Sequence, residues 1–150
     1  MLAVGDVAPD FAVPLPDGTT RTFASYRGRP VVLYFFPKAN TTGCTLETKG
    51  FAQRYGEFER AGVEVIGVSV DSAETQTAFA KRCGSQFPMV ADRSKEIARK
   101  YDVLGLLGWA KRVTFLVDAE GRVEAVVEGM GPAPHLRAAE RWAAARVRPP

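Results

Sequence analysis

A continuous run of apolar residues, VVLYFF at positions 31–36, lies between Gly28 and Pro30 on one side and Pro37 on the other. All six side chains are β-branched, aliphatic or aromatic, with no polar residue alternating between them. Such a run is typical of a strand that is buried on both faces of a sheet. We therefore predict a central strand here.

Downstream of this strand, apolar residues return at spacings of three and four, which is the period of a helix with one buried face. A first helix is predicted from Thr41 to a stop at Gly62. Its predicted buried positions are Leu46, Gly50, Phe51, Tyr55 and Phe58. Later helices are predicted over residues 73–83 with Gly84 as the stop, from a Ser94 cap to Tyr101, and over 135–147.

Further strands are predicted over residues 63–70 and 87–90, and a hairpin is predicted from 113–117 and 123–127. A second hairpin is predicted near the N-terminus, around the turn at Asp17 and Gly18. Strands that alternate with helices, followed by a hairpin and a last helix, indicate the α/β class with a central mixed sheet flanked by helices. This is the thioredoxin-like arrangement, and 150 residues suffice for a single domain over 1–150.

The charge pattern gives no sign of a nucleic-acid partner. A quarter of the residues are charged, and the net charge is only +3. Four arginines cluster near the C-terminus, at positions 137, 141, 146 and 148, but no base-reading motif or stacking aromatic pattern accompanies them. We expect them to form a solvated helix face.

The chain shows no pattern that favours a membrane or a secreted protein. No apolar run approaches the roughly 20 residues of a membrane span, and the N-terminus does not read as a signal peptide. We expect a soluble, cytoplasmic protein. The two cysteines, Cys44 and Cys83, are too few for a disulfide framework, so reactive thiol chemistry is the better interpretation.

The segment PKANTTGC, residues 37–44, joins the central strand to the first long helix and ends in a cysteine. If Thr41 is the N-cap, its hydroxyl accepts a hydrogen bond from the Cys44 N–H, and the sulfur lies at the positive end of the helix dipole. This position favours an anion, so the sequence predicts a reactive thiolate at Cys44.

A cation is needed in addition to the helix end. An ordinary cysteine thiol, with a pKa near ~8.5, is only about 3% ionised at pH 7. A helix N-terminus typically contributes only about 0.3–1 kcal/mol, whereas a charge-assisted hydrogen bond contributes about 1.5–3 kcal/mol. Arg112 is the predicted donor, because it directly precedes the predicted strand 113–117 and is therefore held on a rigid element.

The string PKANTTGC fits the P-x-x-x-T-x-x-C signature of peroxiredoxins, and FFPKANTTGCTLE resembles their bacterioferritin-comigratory-protein or PrxQ subfamily. VGDVAPDF, FAKRCGSQFPMVAD and RVTFLVDAEGRV extend the resemblance over most of the chain. It implies a peroxidase that reduces hydrogen peroxide and organic hydroperoxides and is recycled by thioredoxin or a similar thiol. No cofactor is implied. Relatives are often monomers, with a dimer as the alternative.

The resemblance also implies roles for particular residues. Cys44 matches the peroxidatic cysteine, which becomes a sulfenic acid, and Thr41 matches the threonine that orients the peroxide. Pro37 matches the proline that shields the thiolate, and Arg112 matches the arginine beside it. Glu47 falls where a glutamate helps to hold that arginine; the alternative is an exposed acid in the first turn of the helix, favoured by the dipole.

The resolving cysteine is where this sequence departs from its relatives. Many of them place it five residues after the peroxidatic cysteine, where this chain has Lys49, and others place it at the position of Ala80. Cys83 stands three residues beyond Ala80. Two interpretations remain: Cys83 resolves the sulfenic acid after local unwinding, or it is a buried core residue and an external thiol completes a one-cysteine cycle.

Other candidates carry weaker signals. His135 has no partner at metal-ligand spacing, so we expect no metal site and assign it to a helix start or the surface. Gly105 to Gly108 is predicted as a loop beside the active site, with Trp109 lining the pocket or packing, and Trp142 in the core. Two alternative functions remain, protein thiol–disulfide exchange and a redox sensor without turnover; the first lacks the usual C-x-x-C motif.

Overall fold

The computed structural model describes residues 1–146. Its main element is a five-stranded mixed sheet in the order β5-β4-β3-β6-β7, in which β3, β4 and β5 run parallel and β6 and β7 are antiparallel to their neighbours. The strands are β1 (Ala12–Pro14), β2 (Thr20–Thr22), β3 (Val31–Phe35), β4 (Glu64–Ser69), β5 (Met89–Ala91), β6 (Val113–Val117) and β7 (Val123–Glu128). The helices are α1 (Thr42–Gln53), α2 (Tyr55–Arg60), α3 (Ala73–Cys83), α4 (Glu96–Lys100) and α5 (Pro132–Ala144).

The predicted central strand is confirmed. Every residue of β3 is buried, and the strand pairs with β4 on one side and β6 on the other. Its side chains alternate between two hydrophobic clusters, Leu33 and Phe35 on one face and Val32 and Tyr34 on the other. The α/β class and the mixed sheet are therefore as predicted.

The predicted N-terminal hairpin is also present. Strands β1 and β2 form a separate two-stranded antiparallel sheet, and Gly18 in the connecting turn has a φ of 89°, which favours glycine. Helix α3 has its predicted bounds and is closed by Gly84 in the left-handed conformation, with a φ of 70°. The hairpin of β6 and β7 is likewise confirmed.

The single helix predicted from Thr41 to Gly62 is wrong: the segment forms two helices that meet at Arg54, with φ −97° and ψ 2°. The backbone N–H of Arg54 is shared between the Gly50 and Phe51 carbonyls at 3.3 and 3.2 Å, and the Gly50 carbonyl also accepts from Arg54 Nη1, so the regular bonding of a continuous helix is interrupted here. Leu46, predicted to be buried, is 58% exposed. The buried face of α1 instead includes two polar residues, Glu47 and Thr48, which the hydrophobic pattern missed.

The Ser94 cap is wrong as well. Helix α4 begins at Glu96, and its first N–H groups, those of Ile97 and Ala98, donate to the carboxylate of Asp92 at 3.1 and 2.8 Å. Ser94 Oγ accepts only a long bond of 3.4 Å from Glu96 N. The chain enters the helix through a left-handed turn at Lys95, which directs the helix end toward Asp92.

The last helix, α5, begins earlier than predicted, because Pro132 occupies a first-turn position that suits proline. The guanidinium of Arg146 stacks on Trp142 at 3.8 Å and pairs with Glu124. Trp142 packs on the core only partly, with its indole N–H directed to Glu124. Residues 147 and 148, included in the predicted helix and arginine cluster, lie outside the described residues.

None of the helices within residues 1–146 is both long and apolar enough to cross a lipid bilayer.

Candidate active site

The loop between β3 and α1 (residues 36–41, the catalytic loop) places Cys44 at a helix start. Thr41 is the N-cap residue in an extended conformation, with φ −83° and ψ 156°, and α1 begins at Thr42. Cys44 is therefore the third helical residue, where the backbone N–H groups carry the positive end of the helix dipole. Its side chain is on the buried face, and the residue is only 1% exposed.

The predicted hydrogen bond from the Cys44 N–H to the Thr41 hydroxyl is wrong. Thr41 Oγ1 instead donates to the carbonyl oxygen of Lys38 at 2.7 Å, which closes the loop on itself. The Thr41 carbonyl starts the helix by accepting from the backbone N–H and the hydroxyl of Thr45 at 2.9 and 2.7 Å. Because the hydroxyl proton is used within the loop, the lone pairs of Thr41 Oγ1 remain available to a substrate.

A second set of contacts joins the loop to the residues at the end of β4 and to α3. The backbone N–H of Ala39 donates to Asp71 Oδ2 at 2.8 Å, and Ser69 Oγ donates to the same oxygen at 2.6 Å. Asn40 has a φ of 68°, and its side-chain oxygen accepts from Arg82 on α3. The sequence interpretation missed Asp71; the available signal was a polar residue just beyond the carboxyl end of a parallel strand, at the edge where α/β sites form.

Arg112 is brought to the sulfur as predicted. It is 5% exposed, and its Nη2 lies 3.3 Å from Cys44 Sγ. The antiparallel register pairs Val113 with Phe35, so Arg112 is held next to the end of β3, where the catalytic loop begins. Gly43 permits this approach, since a Cβ atom built on it would lie 3.0 Å from Nη2 of Arg112.

Glu47 contacts Arg112 in the protein interior. Its Oε1 accepts from Arg112 Nη1 at 2.5 Å, and the residue is fully buried, so the alternative of an exposed first-turn acid is wrong. Burial raises the pKa of Glu47 to about 7, although Arg112 acts in the opposite direction. Two buried atoms, Glu47 Oε2 and Arg112 Nε, have no hydrogen-bond partner among residues 1–146.

Cys83 lies at the last position of α3, 6% exposed, in the same hydrophobic cluster as Cys44. Burial raises the pKa of its thiol. Ala80 does not share this environment, because it lines a surface groove between α3 and the N-terminal hairpin. Lys49 is exposed on α1.

The Tyr34 hydroxyl lies 2.9 Å from Thr48 Oγ1. Burial raises its pKa well above the ordinary value, and negative charge on Glu47 or either cysteine adds to the effect.

Trp109 stands on the rim of the site, 42% exposed. The ammonium group of Lys38, in the catalytic loop, lies 4.9 Å from the centre of its ring. Together with Asp71, Lys95 and Gly108, these side chains line a shallow cavity of about 280 Å³. The loop of Gly105 to Gly108 is therefore next to the catalytic loop, as predicted.

Of the two alternatives predicted for His135, the position near a helix start is confirmed in α5, and a surface position is excluded because the residue is fully buried. Its Nε2 donates to the Gly129 carbonyl at 2.8 Å, since the oxygen can only accept. Nδ1 lies 2.8 Å from the Thr114 hydroxyl, which then donates to it. These two bonds occupy both ring nitrogens of the neutral imidazole.

Comparisons with known proteins agree with this geometry. Residues 4–126 match the model of the AhpC/TSA family. Peroxiredoxin Bcp of Escherichia coli K12 is 31% identical over 148 residues, which cover 94% of this chain and 95% of that protein. The crystal structure of peroxidoxin BcpB from Mycobacterium tuberculosis superposes with a TM-score of 0.87 and 31% identity, covering 99% of this chain and 100% of that one.

A second solved structure, peroxiredoxin Q of Xanthomonas campestris, superposes with a TM-score of 0.82 and 32% identity over 92% of each chain. The family match covers far more than half of the sequence and includes the loop, the cysteine and the arginine described above. The chain belongs to the AhpC/TSA family, among the peroxiredoxins of the Bcp/PrxQ kind.

Proposed function

We propose that the protein is a thiol-dependent peroxidase in which the thiolate of Cys44 reduces hydroperoxides. The observation that supports this most directly is the contact of 3.3 Å between Arg112 Nη2 and Cys44 Sγ at a buried helix start. A guanidinium is permanently charged and donates hydrogen bonds, so it stabilises the sulfur as an anion. The helix dipole acts in the same direction.

The chemical step is a displacement at oxygen. The Cys44 thiolate attacks one oxygen of the hydroperoxide, the S–O bond forms, and the O–O bond breaks with its electron pair on the leaving oxygen. Cys44 is oxidised to a sulfenic acid, and the peroxide is reduced to water or an alcohol after the leaving oxygen takes up a proton. Arg112 offsets the negative charge that develops on the peroxide oxygens in the transition state.

Thr41 and Pro37 are proposed to hold the substrate in line. The Thr41 hydroxyl donates to the Lys38 carbonyl, so its oxygen can accept a hydrogen bond from the O–H of a hydroperoxide. Pro37, half-buried between β3 and the loop, lacks an N–H and is proposed to limit water around the sulfur. Glu47 is proposed to hold Arg112 through their buried ion pair.

We further propose that Cys83 attacks the sulfenic acid, releasing water and forming a disulfide that thioredoxin or a similar dithiol reduces. Both cysteines lie in one hydrophobic cluster on the same side of the sheet, and Cys83 ends its helix. The backbone N–H groups of Gly84 and Ser85 donate to the Lys81 and Ala80 carbonyls at 3.2 and 3.0 Å, and local unwinding at Cys83 would break these bonds. A single domain over 1–150 is proposed to carry the whole cycle.

The burial of Cys44 disfavours protein thiol–disulfide exchange as the main activity. With 1% exposure, its sulfur is closed to a bulky protein disulfide in this conformation, whereas a small hydroperoxide needs far less space. A sensor without turnover requires the same reactive sulfur and differs only in that it is not recycled. Multiple turnovers of peroxide with a thiol reductant would exclude it.

Hydroperoxide consumption by the wild type and by Cys44→Ser, with thioredoxin and its reductase as the recycling system, tests the proposal. We expect multiple turnovers in the wild type and none in the variant; normal turnover without this sulfur would falsify the mechanism. Mass spectrometry after one equivalent of peroxide tests the resolving step. The wild type should contain an intramolecular disulfide and Cys83→Ser should contain a sulfenic acid, whereas a sulfenic acid in both would show a one-cysteine cycle.

A further inference from the structure

Glu47 has an unusual environment for a carboxylate. It is fully buried one turn after Cys44, and the only described residue that donates to it is Arg112, through Nη1 to Oε1. The second oxygen, Oε2, is buried without a partner among residues 1–146. An ionised carboxylate in the interior normally requires donors at both oxygens, because desolvation of an unpaired charge is costly. These surroundings fit a carboxyl group that takes up a proton.

One cation in this site serves two acidic groups. Arg112 contacts Glu47 through Nη1 and the sulfur of Cys44 through Nη2, and all three side chains are buried. With both acids ionised the cluster would carry a net negative charge, whereas with one ionised it is neutral. Two anions that share one cation oppose each other's ionisation.

We propose that Cys44 and Glu47 share one proton across Arg112, and that Glu47 holds this proton while Cys44 is a thiolate. The inference rests on the proposed function, because Cys44 is the nucleophile whose ionisation Glu47 controls. It gives Glu47 a role beyond holding Arg112 in place. Glu47 acts here through the guanidinium as a positioning residue. The thiol proton leaves Sγ for solvent while a proton is taken up at Oε2; no electrons are transferred, and the overall charge is unchanged.

The burial of Glu47 supports this arrangement. Burial raises its pKa to about 7, so proton uptake falls close to neutral pH. The exchange is an equilibrium linkage between two sites and needs no direct path for the proton between them.

The remaining titratable groups around the cluster are neutral in this pH range. Tyr34 faces it from β3, and burial raises the pKa of its hydroxyl well above the ordinary value. His135 faces Arg112 from α5, and burial lowers the pKa of its imidazole, with Arg112 adding to the effect. Cys83, on α3, belongs to the same hydrophobic cluster as Cys44, and burial raises the pKa of its thiol. Cys44 and Glu47 are therefore the coupled pair.

The first test observes the carboxyl group directly. Carbon-13 NMR of the side-chain carboxyl of Glu47 is followed against pH in the reduced wild type and in Cys44→Ser. We expect Glu47 to titrate near neutral pH in the wild type, and at a pH lower by about one unit or more in the variant, because coupled sites of this kind interact by at least that much. A Glu47 signal that stays ionised throughout, or that ignores the loss of the sulfur, overturns the proposal.

The second test is the reciprocal one. Glu47→Gln resembles the protonated acid in shape, and its amide oxygen still accepts from Arg112, so thiolate absorbance should appear at lower pH than in the wild type. The two apparent shifts together report one interaction free energy between the sites, because linkage is reciprocal. Glu59→Gln, an exposed acid on α2, is the matched control and should leave the titration unchanged.

A shift of the thiolate titration to higher pH in Glu47→Gln means that Glu47 only holds Arg112 and overturns the proposal. If Glu47→Gln does not fold, the NMR comparison still decides the question. Both titrations use reduced protein without peroxide. Failure of the proposed function would appear separately, as absent peroxide turnover in the wild type.

Discussion

Asp71 Oδ2 accepts the backbone N–H of Ala39 at 2.8 Å, which ties the segment after β4 to the loop that carries Cys44. The same oxygen accepts the hydroxyl of Ser69 at 2.6 Å, and Ser69 Oγ lies 3.1 Å from Oε1 of the buried Gln76 on α3. The catalytic loop is thus held by a side chain that lies just beyond the end of a neighbouring parallel strand. Its geometry depends on a residue outside the signature around the cysteine.

Asp71→Ala should therefore lower peroxidase activity while Cys44 and Arg112 remain in the chain. The substitution leaves the Ala39 N–H without its acceptor, and a buried group of this kind costs about 1–3 kcal/mol. Displacement of a catalytic loop by about 1 Å typically costs up to 10²-fold in rate. We expect kcat/KM for hydrogen peroxide to fall by about tenfold or more, measured at saturating reductant.

Asp17→Ala is the matched control, since Asp17 is an exposed turn acid that accepts from Thr19 at 2.9 Å and lies outside the site. It should leave kcat/KM unchanged. Equal activity in Asp71→Ala and Asp17→Ala would show that the loop keeps its geometry without the Asp71 carboxylate.

Gly43→Ala separates helix stability from site geometry. Alanine in a helix is favoured over glycine by about 1 kcal/mol, so the variant should be at least as stable as the wild type by this effect alone. Its new Cβ would lie 3.0 Å from Arg112 Nη2, so this nitrogen must shift by a few tenths of an ångström beside Cys44 Sγ. We expect peroxidase activity to fall several-fold without a lower thermal unfolding temperature.

The comparison for this variant is Gly56→Ala, also within a helix, where the added Cβ meets only Arg60 Nη1 at 3.5 Å. Gly56→Ala should show a similar stability and full activity. If both variants retain full activity, the close approach of Arg112 at Gly43 does not matter for catalysis.

Arg112→Lys tests whether charge alone is sufficient. A lysine ammonium keeps the positive charge but is a single compact donor group, so it cannot contact Cys44 and Glu47 through two separate nitrogens as the guanidinium does. We expect a loss of about 10²-fold or more in kcat/KM, with the larger effect in kcat, in rapid-reaction measurements of peroxide reduction. Near-normal rates in Arg112→Lys would show that the two-sided contact is dispensable.

Much of this fold could be predicted from local patterns. The buried run of β3, the glycine stop after α3 and the hairpin of β6 and β7 each depend on neighbouring residues in the sequence, so their signals are complete within a short window. The meeting of Arg112 with Cys44 was also predictable, because the strand after Arg112 must join the sheet near the end of β3.

The errors have a common physical origin in side-chain contacts between distant segments. Thr41 is the N-cap as predicted, yet its hydroxyl turns to Lys38 because the loop closes on itself. Glu47 is buried because Arg112 arrives from a strand 65 residues away. No pattern of apolar spacing contains such partners, and the hydrophobic period therefore placed Leu46 on the wrong face of the helix.

His135 gives a prediction about stability rather than catalysis. Its imidazole is buried between the Thr114 hydroxyl and the Gly129 carbonyl, and burial lowers its pKa below the ordinary value of about 6.5. The unfolded chain therefore binds a proton at this residue at a higher pH than the folded protein does. Stability must fall as the pH decreases below about 6.5, by at most about 1.4 kcal/mol per pH unit, until the folded-state pKa is reached.

His135→Gln should remove this component. The glutamine amide can donate to the Gly129 carbonyl and accept from Thr114, but it does not titrate. Urea unfolding of both proteins at pH 7.5 and pH 5.5, conditions on the two sides of about 6.5, measures the difference. The wild type should lose more stability than the variant on acidification; an equal loss in the two proteins would mean that the folded protein accommodates a charged imidazole here as readily as water does.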